Sequence, residues 1–263
     1  MLIHKELKEM SGAITVRNVT LGEGIPKICV SLISAAMPEL VAEAQALKEL
    51  APDLVEWRSD FFAGVEDLAA VRKTLAEISS VLPDTPLIFT FRSAREGGER
   101  EITTEYYIRL NQAAAESGYV DIIDVELFNE ENVIRELIAA AHACGVFVIV
   151  SNHDFHGTPS QEEIVSRLRQ AQALGGDLPK IAVMPQQAGD VLTLLAATNT
   201  MREHYADRPI ITMSMAGEGV ISRLAGEIFG SALTFGAAHK PSAPGQVAVA
   251  ELRRVLELLH RSL

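Results

Sequence analysis

Short apolar runs alternate along the chain with longer segments in which apolar residues recur every three or four positions. The short runs have the length and the Val, Ile, Leu and Phe content of buried strands, and they are residues 27–31, 54–58, 87–92, 120–127, 147–153, 180–184, 210–215 and 232–235. The periodic segments predict amphipathic helices at residues 39–50, 67–81, 105–117, 133–144, 162–174, 191–205, 220–229 and 247–259. Each predicted strand is therefore followed by a predicted helix.

Local signals support this alternation of strands and helices. Residues 160–163 (Ser-Gln-Glu-Glu) have the form of a helix-initiating capping box, and a glycine that commonly ends a helix follows three of the periodic segments, at Gly118, Gly145 and Gly175. Eight strand–helix units without a linker or a break in composition predict one domain over residues 1–263. Its fold class is α/β, a single (β/α)8 TIM barrel.

One further apolar run lies before the first of the eight predicted barrel strands. Residues 13–20 alternate in the manner of a strand or hairpin and are followed by Gly22 and Gly24. We expect residues 11–24 to form an N-terminal β-hairpin that closes the bottom of the barrel.

Charge and composition limit the possible partners of the chain. The formal net charge is −12, which argues against binding to nucleic acid or to an anionic membrane surface. No stretch approaches the ~18 apolar residues of a spanning helix and the first residues lack the apolar core of a signal peptide, so we expect a cytoplasmic protein. Cys29 and Cys144 have no metal-ligand spacing and are expected to be small buried thiols.

Polar residues cluster where the predicted strands end, which is where a barrel of this kind builds its active site. The candidates are Glu56, Arg58, Arg92, Glu96, His153, Met213, Met215, Arg223, Ser242 and Gln246. The two-residue period of a strand places Glu56 and Arg58 on one face. Asp124 and Glu126 share a face of the fourth strand, and we expect them to be internal partners of the barrel's cations rather than catalysts.

Each candidate also has a purely structural interpretation. These are an ion pair of Glu56 with Arg58, a helix-entry position for His153, a solvated helix position for Arg223, and core packing for the two methionines. The joint pattern favours a functional site, because so many cations at one mouth are costly to assemble for structure alone.

Lys180 begins an apolar run that is bounded by Pro179 and Pro185. A free lysine amine has a pKa near 10.4, and burial or neighbouring cations favour the neutral amine, which is a nucleophile toward ketones. Its place at the start of the run equally fits a solvated strand-start lysine. The sequence lacks metal-ligand spacings, nucleotide-binding fingerprints and the nucleophile elbow, which predicts chemistry without a metal or an organic cofactor.

Six motifs, in chain order and at compatible spacings, resemble those of the type I 3-dehydroquinate dehydratases of the shikimate pathway. They are EWR at 56–58, TFRSAREGG at 90–98, SNHDF at 151–155, KIAVMP at 180–185, MSM at 213–215 and SAPGQ at 242–246. The resemblance implies the conversion of 3-dehydroquinate to 3-dehydroshikimate and water by Schiff-base syn-elimination, without a cofactor, in chorismate and aromatic amino acid biosynthesis. It also suggests a homodimer.

The resemblance implies a role for each matching residue. Lys180 would form the Schiff base, His153 would act as the general base and then protonate the departing hydroxyl, and Glu96 would orient His153. Arg223 would bind the substrate carboxylate. The other implied substrate-binding residues are Ser31, Glu56, Arg58, Arg92, Met213, Met215, Phe235, Ser242 and Gln246. The last two lie on a loop that would close over the substrate.

Two other hypotheses remain open at this point. A Schiff-base aldolase on the same barrel commonly needs a phosphate site near the last two strands. The glycine loop at residues 217–219 is a candidate for one, but its Glu218 would repel phosphate. A catalytically silent barrel that binds a small acid is the second alternative. The joint presence of Lys180, His153 and Glu96 counts against it, because a silent protein would be free to lose them.

Pro241 and Asn152 differ from the residues that members of this family more often have at these positions. We expect these two differences to affect loop motion and rate rather than the reaction.

Overall fold

A computed structural model describes residues 12–238 and 242–263 of the chain. An antiparallel hairpin comes first, formed by β1 (Ile14–Val16) and β2 (Val19–Leu21). Eight parallel strands follow, β3 (Lys27–Leu32), β4 (Leu54–Arg58), β5 (Leu87–Thr90), β6 (Ile122–Glu126), β7 (Phe147–Asp154), β8 (Leu178–Val183), β9 (Ile211–Ser214) and β10 (Leu233–Ala237). A short ninth parallel strand, β11 (Val247–Ala248), pairs with the outer part of β10.

Helices connect the strands over the outside of the sheet. They are α1 (Met37–Leu50), α2 (Leu68–Val81), α3 (Thr104–Ala115), α4 (Glu131–Ala143), α5 (Gln161–Ala173), α6 (Ala188–His204), α7 (Val220–Leu224), α8 (Gly226–Phe229) and α9 (Val249–His260). Ser160 caps α5 by accepting a hydrogen bond from the backbone N–H of Glu163, as its spacing predicted. None of the helices in the described ranges is long and apolar enough to cross a membrane.

The sheet closes on itself, which confirms the predicted barrel. Neighbouring strands pair in order from β10 through β3 to β9. The circle is completed by a parallel bridge between Ile210 and Ser231, where the N–H of Ala232 donates to the carbonyl of Ile210 at 2.8 Å.

The interior of the barrel is layered along the strand axis. The lowest inward positions are apolar and buried, and they are Cys29, Leu54, Ile88, Ile122, Ile149, Leu178, Ile211 and Leu233. Two residues further along each strand, on the same face, are Ser31, Glu56, Thr90, Asp124, Ser151, Lys180, Met213 and Phe235. An apolar floor therefore lies beneath a largely polar layer.

The N-terminal hairpin packs against this apolar floor. Val16 and Leu21 are buried in the same cluster as the lowest inward side chains of the barrel. Arg17 fastens the turn of the hairpin, because its Nε lies 2.8 Å from Oδ1 of Asp121, whose Oδ2 accepts the N–H of Leu87. The structure thus confirms the predicted hairpin at the bottom of the barrel, although residue 11 of its expected range, like Pro241 in the expected lid, lies outside the described residues.

Three details differ from the sequence-based expectations. The predicted helix over residues 220–229 is two helices, and Gly226 lies at the break, where a side chain would come within 2.7 Å of the carbonyl oxygen of Ser231. The helix predicted to begin at residue 247 begins two residues later, since β11 occupies those positions. Cys144 is exposed rather than buried, because it follows the last turn of α4 at the surface.

We predict that Leu21→Ala destabilises the whole fold. Leu21 is fully buried against the barrel floor, and truncating a buried leucine costs about 2–5 kcal/mol of the free energy of unfolding. Urea denaturation would measure this loss. Thr15→Ala, on the exposed side of the same hairpin, is the matched control and should change stability by less than about 0.5 kcal/mol; equal unfolding midpoints for the two variants would show that the hairpin is not part of the core.

Candidate active site

A cavity of about 140 Å³ opens at the C-terminal ends of the strands. It is lined by every site residue expected from the sequence except Ser31, namely Glu56, Arg58, Arg92, Glu96, His153, Lys180, Met213, Met215, Arg223, Phe235, Ser242 and Gln246. The structure therefore brings together residues from five strands, β4, β7, β8, β9 and β10, and from the segments that follow β5, β9 and β10.

Strand register explains how these side chains meet. Glu126 on β6, Ser151 on β7 and Lys180 on β8 are paired neighbours at one level of the barrel. One step higher, His153 on β7 pairs with Ala182 on β8. Lys180 is thus placed diagonally below His153 on adjacent strands, and both line the cavity.

Lys180 is buried in the middle of β8, with 5 % of its surface exposed. Its Nζ lies 3.4 Å from Oδ2 of Asp124 and 4.7 Å from the centroid of the Phe235 ring. The alternative of a solvated lysine at a strand start is wrong, since β8 begins two residues before Lys180. The amine instead points into the cavity floor.

Arg92 is the centre of a buried network of ions. Its guanidinium lies 2.8 Å from Asp124 Oδ1, 3.0 Å from Glu126 Oε1 and 3.6 Å from Glu96 Oε2. Burial would lower the pKa of Arg92, but these carboxylates outweigh burial and raise it. Asp124 and Glu126 are therefore partners of the barrel's cations, as expected.

His153 and Glu96 form a close pair. Oε2 of Glu96 lies 3.0 Å from Nδ1 of His153 and accepts the backbone N–H of His153 at 3.0 Å. Burial and then the charges of Arg92, Lys180 and Arg58 hold the pKa of His153 well below its usual value. Burial raises the pKa of Glu96 to about 8; Arg92 opposes the shift and Glu126 adds to it.

The contacts assign one arrangement of protons to this pair. Oε2 of Glu96 already accepts an N–H, so it also accepts from Nδ1 of His153. Oε1 is buried without a partner among the described residues and can hold the proton of the neutral acid. His153 then keeps a free lone pair on Nε2, which is the arrangement that a general base requires.

Arg223 is the least compensated cation in the described part of the site. It is 1 % exposed, its Nη2 donates to the carbonyl oxygen of Pro244 at 3.0 Å, and its Nε has no partner among the described residues. Burial alone lowers the pKa of Arg223 to about 10. A buried guanidinium without a carboxylate partner favours an anionic ligand in the cavity.

The other polar residues are engaged in two separate sets of hydrogen bonds. Arg58 binds Asp60 through two contacts of 2.8 Å rather than pairing with Glu56, so the proposed structural ion pair of Glu56 with Arg58 is wrong. Glu56 accepts from the hydroxyls of Ser31 and Thr90 at 2.5 and 2.8 Å.

Ser31 does not line the cavity, but it connects Glu56 to the loop after β10. The hydroxyl of Ser242 donates to Ser31 at 3.0 Å, and Gln246 donates to Ser242 at 2.9 Å. These contacts hold the described part of the expected lid against the barrel mouth.

Several residues of the site were missed by sequence reasoning. Asp60 is fully buried and also accepts backbone N–H groups from Arg92 and Glu99, but it lies after the strand, where the two-residue period no longer applies. Phe155 lines the cavity and packs so closely on Gly97 that a side chain at Gly97, where φ is +82°, would come within 2.3 Å of its ring. The glycine pair at 97–98 was the available signal for such close packing.

The fold and this cavity define the class of the protein as a (β/α)8-barrel enzyme with a buried lysine in its pocket. Comparison with known proteins defines the family. The model of the type I 3-dehydroquinases matches residues 28–262, and the chain belongs to this family. Its members use a covalent Schiff base with a lysine and need no cofactor.

Similar proteins cover almost the whole chain. The 3-dehydroquinate dehydratase of Bacillus licheniformis is 59% identical over 254 residues, 97% of this chain and 100% of the relative, and that of Listeria innocua is 60% identical over 248 residues, 94% and 98%. A crystal structure of the type I enzyme from Clostridium difficile with covalently modified comenic acid has a TM-score of 0.94 and 57% identity, covering 97% of this chain and 100% of that one. 3-Hexulose-6-phosphate synthase, at 17% identity and a TM-score of 0.59, shares the fold alone.

We predict that His153 remains a neutral imidazole well below pH 6.5. Its folded pKa lies below the value near 6.5 of an unfolded histidine, so the unfolded chain binds this proton first as the pH falls. The stability that depends on His153 is therefore fully present above about pH 6.5 and is lost as the pH drops toward the folded pKa.

Histidine ring resonances in NMR spectra would test this prediction, with His153→Gln used for assignment. The chain unfolded in urea is the reference. A folded His153 that titrates at the same pH as in urea would contradict the electrostatic account of the pair.

Proposed function

We propose that Lys180, His153 and Glu96 carry out the dehydratase reaction of this family, in which 3-dehydroquinate becomes 3-dehydroshikimate and water. The observation that carries the assignment is the meeting, in one cavity, of a buried amine, a neutral histidine and an uncompensated guanidinium. The amine is a nucleophile for a ketone, the histidine is a base, and the guanidinium is a partner for a carboxylate.

The first step joins the substrate to Lys180. The neutral amine adds to the ketone carbon, and one of its two protons moves to the oxygen. A further proton from solvent lets this oxygen leave as water, and a protonated C=N bond remains. The apolar floor below Lys180 supports this step because it keeps bulk water away from the amine. The protonated C=N group then withdraws electrons from the neighbouring carbon.

The second step is the elimination. Nε2 of His153 removes a proton from the carbon beside the C=N group, and the electron pair moves onto nitrogen to give an enamine. The electrons return as the C–O bond breaks, and the departing hydroxyl takes the proton from His153 and leaves as water. Hydrolysis of the remaining Schiff base, which consumes one water, releases the product and restores Lys180.

Binding groups surround these reacting atoms. Arg223 would hold the carboxylate, because its guanidinium is planar and its Nε has no partner among the described residues. The substrate hydroxyls would meet Glu56, Arg58, Arg92 and Gln246. Met213, Met215 and Phe235 supply the apolar wall, and Ser242 joins the loop to the barrel through Ser31.

The aldolase alternative is weaker in the structure. Its phosphate site would have to use the loop at residues 217–219, where Glu218 is exposed beside the mouth and repels an anion. Arg223, the available cation there, points at the carbonyl of Pro244 and the sulfur of Met213. Family membership and the complete Lys180, His153 and Glu96 set likewise argue against a catalytically silent barrel.

We predict that incubation with 3-dehydroquinate gives the ultraviolet absorbance of a conjugated enone, and that borohydride traps an adduct on Lys180 detectable by mass spectrometry. Lys180→Ala should lose the adduct, because no other amine lines the described cavity. His153→Ala should still form the adduct but lose about 10²–10⁴-fold in elimination rate, the usual contribution of a general base.

Arg223→Lys is the control for binding in the same assay. It retains the charge but not the planar fork, so KM should rise while the adduct still forms at high substrate concentration. Normal turnover by His153→Ala would refute the assignment of the base, and a folded wild-type chain without turnover would refute the proposed function.

We further propose that the chain acts as a homodimer in the cytoplasm. Large apolar side chains are exposed on the neighbouring helices α6, α7 and α8, at Leu192, Ile221 and Ile228, and a second copy would cover them. Sedimentation velocity should give twice the mass of one chain, and a single-chain mass would exclude the dimer. Recovery of the protein in an exported or membrane fraction of cells would contradict the location.

A further inference from the structure

Asp124 contacts the reacting nitrogen from within the polar layer of the barrel. It is fully buried, and Oδ2 lies 3.4 Å from Nζ of Lys180. Its other oxygen, Oδ1, accepts hydrogen bonds from Nη2 of Arg92 at 2.8 Å and from the hydroxyl of Ser151 at 2.6 Å. One oxygen is thus held by the protein while the other faces the amine.

We propose that Asp124 is a further catalytic residue, the counter-ion that keeps the Schiff base of Lys180 protonated. This inference rests on the Schiff-base function proposed above. In the covalent intermediate Nζ carries one hydrogen and a positive charge, and Oδ2 is placed to accept that hydrogen. The charge is essential because a neutral imine withdraws electrons from the neighbouring carbon far less strongly than an iminium.

Asp124 is distinguished from the other buried carboxylates by its contacts. Glu126 and Glu96 also lie against Arg92, but within the described residues the ion pair of Lys180 is with Asp124. Burial would raise the pKa of Asp124, yet Arg92, Lys180 and the Ser151 hydroxyl hold it below its usual value. The carboxylate therefore remains ionised when the intermediate forms.

The movement of charge during elimination explains how Asp124 would assist the reaction. Positive charge on nitrogen disappears when His153 removes the carbon-bound proton, and it returns when the enamine expels the hydroxyl. Asp124 stabilises the charged states before and after the neutral enamine. It therefore favours the expulsion step and prevents loss of the N–H proton to solvent, which would leave an unreactive imine.

The test measures protonation of the C=N bond directly. In His153→Ala the adduct with 3-dehydroquinate should accumulate, and the Raman C=N stretch of a protonated Schiff base shifts in D₂O whereas that of a neutral imine does not. We expect the pH midpoint of this signal to fall by about one to three units in His153→Ala/Asp124→Asn, the effect of losing an opposite charge at this distance.

Glu126→Gln in the same His153→Ala background is the matched control. Glu126 is as buried as Asp124 and binds the same Arg92, but it does not contact Lys180. Its substitution should move the midpoint by clearly less than the Asp124 substitution. Equal midpoints for His153→Ala with and without Asp124→Asn would overturn the proposal, as would equal shifts for the two carboxylates.

A second comparison does not need the Asp124 variant to fold. The pH midpoint for C=N protonation of the adduct in His153→Ala should lie at least about one unit above that of the imine between 3-dehydroquinate and Nα-acetyl-lysine in water. An equal or lower midpoint would overturn the proposed role of Asp124 as counter-ion. Absence of any adduct on Lys180 in the wild-type chain would refute the Schiff-base function instead, so the two failures are distinguishable.

Discussion

The buried guanidinium of Arg92 is the interaction on which the rest of the site depends. It joins the ends of β5, β6 and β7 through Asp124, Glu126 and Ser151, each within 3.0 Å. A cation in this position would be very costly without its partners, and the carboxylates would be equally costly without the cation. The network is therefore stable only when the three strands have the correct register, and the pairing of Ser151 with Lys180 on β8 then places the lysine beside Asp124.

Electrostatic pairing within the network also determines which groups are left for the substrate. Arg58 is bound by Asp60, and Lys180 faces Asp124, whereas Arg223 has no carboxylate within the described residues. The chain as a whole is strongly negative, so a substrate anion is attracted by this single local site rather than by the overall field. Burial, and then the same cations that surround the cavity, lower the pKa of His153 and keep the imidazole neutral and ready to act as a base.

Much of this arrangement follows from the two-residue period of a strand, which is visible in the sequence. It placed Glu56 with Arg58 and Asp124 with Glu126 on shared faces, while the short apolar runs predicted the eight barrel strands. Contacts that depend on loop geometry could not be predicted in this way. Asp60 lies in a short turn after β4, and it pairs with Arg58 in place of the Glu56–Arg58 ion pair that the sequence left open. Strand ends were also uncertain, because proline at 179 concealed the true start of β8 and made Lys180 resemble a solvated residue.

The apolar floor of the barrel links the distant hairpin to the chemistry. Leu178 lies one inward step below Lys180, and Ile122 one step below Asp124. Water reaching this level from the bottom would screen the ion pair of Lys180 with Asp124 and would solvate the amine. The Schiff base depends on the strength of this pair and on the exclusion of water from the amine, and both would be weakened. Val16 and Leu21 cover the floor from below, so the hairpin that stabilises the fold also maintains the low-polarity environment in which the charges of the upper layer act strongly.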